Sequence, residues 1–127
     1  MSDVPAGLRY SEEHEYMKQD GDVYAVGVTD YAQGELGDIV FVELPSVGDS
    51  FGKGDSFGTI EAVKAVSDLY MPVAGEIVEV NEGLDDDPSK VNDDPYGDGW
   101  MIKIRPSDES EVTALMDADG YKGHIGE

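Results

Sequence analysis

The sequence predicts a mainly β domain, built as a sandwich or a barrel. Short runs rich in β-branched and aromatic residues are separated by Gly, Pro and Asp, whereas helical patterns are few. The predicted strands are 22–29, 38–44, 57–63, 65–73, 75–80 and 99–104. Such short, closely spaced strands are typical of sandwiches and barrels. With 127 residues and no linker-like segment, the chain is expected to form a single domain over 1–127.

Two of the predicted strands leave the direction of their side chains open. In the run GEIVEV, Ile77 points to one face, and Val78 and Val80 compete for the other. We interpret Ile77 as the inward residue, although alternation alone does not show which face is the core. Tyr70 and Met71 either pack inward or are exposed to dock a partner.

A short helix is predicted over 29–37. Thr29 or Asp30 can cap its first turn, because their side-chain oxygens accept hydrogen bonds from free backbone N–H groups. Gly37 can end it. By contrast, the polar stretch 83–99, with its prolines and glycines, is predicted to be a loop.

A second helix is predicted near the C-terminus, over 108–119. Asp108 is followed three residues later by Glu111, as in a capping box. An apolar stripe with helical spacing follows, which we interpret as core packing, and Gly120 is expected to end the helix.

The charge of the chain is strongly acidic. Its 29 Asp and Glu residues against 8 Lys and Arg give a formal net charge of −21. Nucleic acid and anionic membranes repel such a chain, so we expect it to bind neither. The acids are spread along the whole sequence, which favours adaptation to high salt, as in halophiles, over an acidic binding patch. The run 85–87 lacks the spacing of a calcium-binding EF-hand and is predicted to be solvated.

The absence of cysteine excludes disulfides, thiolate metal sites and cysteine nucleophiles. Any redox chemistry must therefore come from a bound or attached group. No apolar run reaches membrane-spanning length. Because the first 16 residues are too acidic and polar for a signal or transit peptide, the cytoplasm is the expected location.

Lys64 stands between two strand-like runs, in EAVKAV, in a chain with few basic residues. The chain must reverse at or beside it, although no Gly, Pro or Asn marks a turn. A lysine at the crest of this hairpin directs its amine away from the fold. An ordinary solvated lysine is the simplest interpretation, but surface lysines are so rare here that a functional amine is favoured.

Three functions are available to the Lys64 amine. A Schiff-base lysine needs burial or a cationic neighbour, and neither is evident. A phosphate-binding lysine follows a Gly-rich loop of the form G-x-x-x-x-G-K-[ST], which GTIEAVK does not match. Covalent attachment of a group by another enzyme fits best, because it requires an exposed amine on a rigid hairpin.

Four blocks of the sequence resemble the H protein of the glycine cleavage system. They are 14–16, 27–48, 61–81 and 94–104. They occur in the family's order, and the resemblance covers roughly residues 8–117. Biotin carriers usually place methionine on both sides of the modified lysine, and lipoyl domains of 2-oxo acid dehydrogenases usually place Asp before it. Here Val63 and Ala65 flank Lys64.

The resemblance implies a barrel-sandwich hybrid with lipoate joined to the Lys64 amine as an amide. It implies a non-catalytic carrier that takes an aminomethyl group from the pyridoxal-phosphate-dependent glycine decarboxylase (P protein) to the tetrahydrofolate-dependent aminomethyltransferase (T protein). Dihydrolipoamide dehydrogenase (L protein) would reoxidise the lipoyl group, and a lipoate-attaching enzyme is a further implied partner. The cofactor would thus supply the redox chemistry that a chain without cysteine lacks.

The resemblance also suggests roles for residues around the lysine. Glu15 and Asp68 align with carboxylates of the family cleft into which the loaded arm folds, and either could stabilise a protonated amine. Glu61 and Ser67 flank Lys64 and are candidates for the surface that the lipoate-attaching enzyme recognises.

At several positions this sequence differs from the family pattern, so the roles of family residues cannot be assigned directly to the residues found there. Glu35 stands where relatives often carry His, which leaves an imidazole contact there in doubt, and Tyr16 stands where they often carry Trp. His14 and His124, the only histidines, are far apart in sequence. They are expected to be structural or surface residues rather than a metal or acid–base pair.

Two other functions remain open at this point. A relay would hand lipoyl groups to other lipoyl-dependent complexes and would also need a modified Lys64. A docking or regulatory scaffold would act without lipoate. Glycine-dependent bicarbonate exchange with P protein distinguishes the carrier from both.

Overall fold

The computed structural model describes residues 2–127. Nine strands and five helices follow one another along this part of the chain. They are β1 (Arg9–Tyr10), β2 (Glu15–Asp20), β3 (Val23–Val28), α1 (Asp30–Leu36), β4 (Ile39–Glu43), β5 (Ser50–Phe51), β6 (Ser56–Ala62), β7 (Val66–Tyr70), β8 (Gly75–Val80), α2 (Gly83–Asp86), α3 (Lys90–Asp93), β9 (Ile102–Pro106), α4 (Glu109–Thr113) and α5 (Ala118–Ile125). Within residues 2–127 no helix has the length and apolarity that crossing a membrane would require.

The strands form two antiparallel sheets. One has six strands in the order β1-β2-β3-β9-β8-β5, and the other has three in the order β4-β6-β7. Buried apolar side chains from both sheets share one main core, in which each fully buried aliphatic side chain contributes about 1.5–3 kcal/mol. Its fully buried members include Met17, Ile60, Leu69, Ile77, Ile102 and Ile104. The predicted mainly β fold is therefore confirmed.

The helix predicted over 29–37 is confirmed as α1. The Oγ1 atom of Thr29 accepts a hydrogen bond from the Ala32 N–H at 3.2 Å, which satisfies one free donor of the first turn. The helix ends at Gly37, which has a φ of 82° and donates its N–H to the Gln33 carbonyl. Thr29, rather than the alternative Asp30, is the cap.

The C-terminal helix exists, but its predicted extent over 108–119 is wrong, because the chain forms two helices there. Between α4 and α5, the backbone N–H and C=O of Met116 pair with those of Tyr10 on β1. This bridge uses groups that a continuous helix would need for its own hydrogen bonds. Asp117 then caps α5 by accepting from the Gly120 N–H, so Gly120 lies in the first turns of a helix and does not end one.

The segment 83–99 is not the continuous loop that the sequence predicted, since α2 and α3 each form a short turn of helix within it. Leu84 and Val91, one from each helix, are fully buried in the main core. Because each turn contributes only one buried apolar residue, the sequence has no helical periodicity here that could predict α2 or α3. The Asn92 side chain accepts the Ile39 N–H at 2.9 Å and ties this segment to the start of β4.

Burial decides the open strand orientations. Ile77 is fully buried whereas Val78 and Val80 are half-buried, which confirms Ile77 as the inward residue. Met71 is buried in the main core, and Tyr70 is only half-buried. Of the two alternatives for this pair, inward packing therefore holds for Met71.

Three strands were not predicted: β1, β2 and β5. The strands β1 and β5 have two residues each, too few for a periodic pattern. The first three residues of β2 are buried and the last three are exposed, so it lacks the alternation of a half-buried strand. The strand predicted at 99–104 begins later, at Ile102.

Candidate functional site

Lys64 lies at the crest of the hairpin that joins β6 to β7. Glu61 pairs with Val66, and the Ala62 N–H donates to the Ala65 carbonyl at 2.7 Å, which leaves Val63 and Lys64 as the central residues of the turn. Among non-glycine residues in the described part of the chain, only His14 has a positive φ. The turn therefore does not use the left-handed conformations that call for Gly or Asn, which explains why neither residue marks it.

Hydrogen bonding to a neighbouring strand braces the hairpin tip. The Val63 N–H donates to the Asp38 carbonyl at 3.0 Å, just before β4 begins. The Lys64 side chain is exposed and passes over Gly37, so that a Cβ atom added to Gly37 would lie 3.5 Å from Lys64 Cε. Lys64 is absent from the ion pairs found within residues 2–127. The Lys64 side chain is therefore accessible from solvent.

A cleft of about 250 Å³ opens beside this hairpin. Strand β7 contributes Ser67 and Asp68, the third and fourth residues after Lys64, and helix α1 forms another wall. The full lining is Glu13, His14, Glu15, Val28, Tyr31, Ala32, Glu35, Leu36, Ile60, Ser67, Asp68 and Leu69. The structure therefore brings the predicted Glu15, Asp68 and Ser67 together.

Glu61 does not line this cleft. It lies in register with Phe41 on β4 and Val66 on β7, in a row across the three-stranded sheet. The neighbouring row, with Val42 and Ile60, points into the core. Glu61 therefore lies on the outer face of the sheet, so the two predicted recognition residues, Glu61 and Ser67, lie on different sides of the hairpin.

Glu15 is the buried carboxyl group of the cleft, with 2% of its surface exposed. Its Oε1 accepts from the Ser11 hydroxyl at 2.6 Å, and the Ser11 Oγ accepts the Glu15 N–H at 3.0 Å. Burial raises the pKa of the Glu15 carboxyl to about 8, and the Ser11 bond and a Tyr70 backbone bond offset this only in part. At neutral pH, which lies below this pKa, the Glu15 carboxyl is therefore mostly protonated.

Asp68 differs from Glu15 because its side chain is exposed at the mouth of the cleft. The Tyr70 hydroxyl donates to Asp68 Oδ2 at 3.4 Å. The negative charge of Asp68 raises the pKa of the Tyr70 hydroxyl, because it disfavours a second negative charge nearby. The cleft thus offers one buried, mostly neutral carboxyl group and one solvated carboxyl group.

Glu35 and Glu13 also face the cleft, a grouping that sequence reasoning missed. At position 35, where relatives often carry His, the cleft wall of this chain therefore presents a carboxyl group. Together with Glu15 and Asp68, these residues make the cleft rich in acidic groups. Such a lining attracts a cationic ligand group and repels an anionic one.

The two histidines, distant in sequence, lie side by side. The ring centroids of His14 and His124 are 5.6 Å apart, and His14 Nδ1 is 2.9 Å from the Tyr121 hydroxyl. Burial lowers the pKa of His14, and the neighbouring His124 lowers it further. Residues 2–127 hold no group of three or more His, Cys, Asp or Glu side chains that could bind a metal ion. Through these contacts the two rings link α5 to the loop before β2, beside the cleft.

A larger cavity of about 390 Å³ shares Glu13 and Glu15 with the cleft. Its walls also include Tyr70 and Met71, six and seven residues after Lys64. At roughly 3.3 Å per strand residue, this wall lies about 20 Å from the hairpin tip, whereas Ser67 lies about 10 Å away. The smaller cleft is therefore the one nearer the hairpin tip that carries Lys64.

Comparison with known proteins connects this geometry with a family. The model of the family "Glycine cleavage H-protein" matches residues 8–127. The chain belongs to this family. The match includes the hairpin, the cleft and both C-terminal helices.

Curated H proteins are similar over their full length. The glycine cleavage system H protein of Halalkalibacterium halodurans is 58% identical over 127 residues, which cover 100% of this chain and 99% of the relative. That of Alteromonas mediterranea is 54% identical over 128 residues, with the same coverage. These identities far exceed what a shared fold alone requires.

A solved H protein has the same fold. The crystal structure of a glycine cleavage system H protein from Mycobacterium marinum is similar with a TM-score of 0.89 and 40% identity, covering 98% of this chain and 100% of that one. The fold that the resemblance implied, with two sheets and short helices, is thus confirmed for this member of the H-protein family.

Proposed function

We propose that this chain carries lipoate on Lys64 and serves as the shuttle subunit of the glycine cleavage system. The observation that carries the proposal is the exposed Lys64 amine, held on a braced hairpin three residues before an acidic cleft. An amide bond to lipoate would remove one positive charge from Lys64. When attached, the lipoyl group would supply the sulfur chemistry that a chain without cysteine lacks.

The cleft supports a second role for the chain, which is to hold the loaded end of the arm. Asp68 and Glu15 could bind the ammonium of an aminomethyl group, since charge-assisted hydrogen bonds to carboxylates are strong. A cation beside Glu15 would favour the ionised carboxylate and lower its pKa, so the Glu15 proton would pass to solvent as the amine binds. The cleft would thereby shield the amine from water between partner enzymes.

The partners follow from this role. The P protein would load the arm, the T protein would unload it and release ammonia, and the L protein would reoxidise the dithiol. The chain itself would act as a carrier rather than a catalyst, and it would do so in the cytoplasm. Tethering the lipoyl group to the chain would raise the local concentration of that group at each partner enzyme. Glu61 and Ser67 would contribute to the surface recognised by the lipoate-attaching enzyme.

The acidic composition supports adaptation to high salt, as in halophiles. Three ion pairs, made by Lys103 and Arg105, occur within residues 2–127, against 29 acidic residues in the chain. Most carboxylates are thus unpaired, and they repel one another unless salt screens them.

The decisive experiment combines intact mass with glycine-dependent bicarbonate exchange. Protein from its native host is expected to carry one lipoyl increment on Lys64 and to support exchange with its P protein. The variant K64R keeps the positive charge but is expected to lose both the increment and the exchange, whereas K53R, on a different turn, is expected to keep both.

Three results would count against the carrier. Full lipoylation without exchange would favour the relay. An unmodified Lys64 in cells that contain lipoate would favour the scaffold. Exchange that persists in K64R would place the cofactor elsewhere.

A further inference from the structure

An exposed apolar patch surrounds the Lys64 hairpin. It consists of Val40, Phe41, Val63 and Val66, with exposed fractions of 53%, 45%, 73% and 66%. Within residues 2–127 one other large apolar residue, Val47, is comparably exposed, at 64%. Most of the strongly exposed large apolar side chains are therefore concentrated beside a single lysine.

Strand register explains how the patch forms. Phe41, Glu61 and Val66 lie in one row across β4, β6 and β7 on the outer face of the sheet. The pairing of β4 with β6 shifts between Ile39 and Phe41, which leaves Val40 as an extra residue. Bulged residues of this kind often redirect side chains next to functional sites.

The hairpin tip is continuous with this row. The hydrogen bond from the Val63 N–H to the Asp38 carbonyl, 3.0 Å long, places Val63 beside the first residues of β4. None of the four patch residues belongs to the buried core. Because apolar side chains in contact with water are unfavourable, a concentrated patch indicates a surface that is covered part of the time.

We propose that this patch is the docking surface for the enzyme that attaches lipoate to Lys64, an inference that rests on the proposed function above. The attaching enzyme must bring Lys64 Nζ itself into its active centre, so it must cover the residues around the hairpin tip. Enzymes that act on the loaded arm meet sulfur atoms at its far end, a full arm's length from the patch. The attaching enzyme is therefore the partner that geometry obliges to contact Val63 and Val66.

The charge around the patch specifies the partner further. Glu61 lies within the row, and the next row on the same face carries the exposed Glu43. The complementary enzyme surface has an apolar centre and a basic rim, because opposite charges at a rim guide association and like charges oppose it.

The reaction at this interface balances simply. The neutral Lys64 amine attacks the carbonyl carbon of an acyl-adenylate of lipoate, the new C–N bond forms, and the amine loses a proton. The bond from carbonyl carbon to phosphate oxygen breaks, and AMP leaves with its electron pair. No oxidant or reductant is needed.

The test compares rates of lipoylation in the full chain. The double variant F41T/V66T removes apolar surface, and threonine is itself β-branched, which suits a strand. With a purified lipoate-attaching enzyme, lipoate and ATP, we expect kcat/KM for attachment to fall at least tenfold. The matched control V47T, an exposed valine outside the patch, is expected to change it less than twofold.

A second measurement separates docking from folding and from the carrier role. After loading to completion, F41T/V66T is expected to support glycine-dependent bicarbonate exchange with P protein at the wild-type rate. Attachment to F41T/V66T at the wild-type rate would overturn the docking inference, and so would an equal loss in V47T. Normal attachment followed by slow exchange would assign the patch to the P protein instead. Failure of the wild type to accept lipoate at Lys64 would overturn the proposed function itself.

Discussion

The hydroxyl group of Tyr121 lies 2.7 Å from Oγ1 of Thr29, which joins the last helix to the residue that caps α1. The same hydroxyl lies 2.9 Å from His14 Nδ1. One buried side chain thus connects α5, the start of α1 and the loop before β2. Both α1 and His14 line the cleft. The contacts of Tyr121 on α5 therefore help to hold two walls of the cleft in place.

The variant Y121F tests this connection. Phenylalanine keeps the ring stacked on Tyr10, whose centroid lies 4.8 Å away, and removes only the hydroxyl. We expect the free energy of unfolding to fall by about 1–3 kcal/mol, since buried polar partners lose a hydrogen bond. Denaturant unfolding measures the change in the free energy of unfolding. The control Y24F removes an exposed bond to Glu109 and is expected to cost less than about 0.5 kcal/mol; equal losses would contradict the prediction.

Gly37 offers a second test, because it ends α1 with a φ of 82° beside the Lys64 side chain. The variant G37A is expected to destabilise the fold by about 1–2 kcal/mol, since alanine resists positive φ. The matched control G34A lies in α1 with no atom within 4 Å of an added Cβ, so it is expected to stabilise the fold by about 0.5–1 kcal/mol. Thermal unfolding distinguishes the two, and a gain in G37A would contradict the prediction.

The buried Glu15 carboxyl predicts how the stability of the fold depends on pH. Because burial raises its pKa from 4.5 to about 8, the folded state binds this proton more tightly than the unfolded state. The resulting stabilisation is complete below pH 4.5 and is lost as pH rises through about 8. In E15Q the amide stays neutral at every pH. As pH rises from 4.5 to about 8, the free energy of unfolding of E15Q should therefore increase relative to that of the wild type, by a total on the order of a few kcal/mol.

Unfolding titrations at several pH values measure that difference. Near pH 4.5 the two proteins are expected to be similar, which makes the lowest pH an internal control. A constant difference between pH 4.5 and 8 would show that the Glu15 carboxyl does not change its protonation on unfolding.

The net charge of −21 leads to a prediction about salt. If the acidic surface is adapted to high salt, circular dichroism should show loss of structure as salt is diluted from molar to millimolar concentration, because the Debye length grows from about 3 Å to 30 Å or more. A spectrum that does not change over this range would refute the adaptation and leave the proposal for Lys64 unaffected.

Local signals carried the successful part of the sequence analysis. Thr29 and Gly37 mark the ends of α1 because capping depends on a few adjacent residues. The hairpin at Lys64 was predictable because two β-rich runs leave only a narrow place for the chain to reverse. Neither prediction required knowledge of distant contacts.

Distant contacts account for what the sequence could not show. The helix near the C-terminus divides because Met116 pairs with Tyr10 at the other end of the chain. The burial of Glu15, and hence its raised pKa, depends on packing among β2, β7 and the loop before β2. In a chain with so many acids, no local pattern distinguishes this carboxyl group from solvated ones.

The geometry of the turn has a consequence for how such a protein evolves. Since Val63 and Lys64 both have negative φ, the backbone admits most side chains at the crest. The side chain at Val63, which an attaching enzyme must contact, is therefore not needed to specify the fold. Mutations of Val63 can alter which enzymes accept the protein without unfolding it, whereas Lys64 is held constant by the attachment reaction. Recognition can therefore change at Val63 while the architecture stays the same.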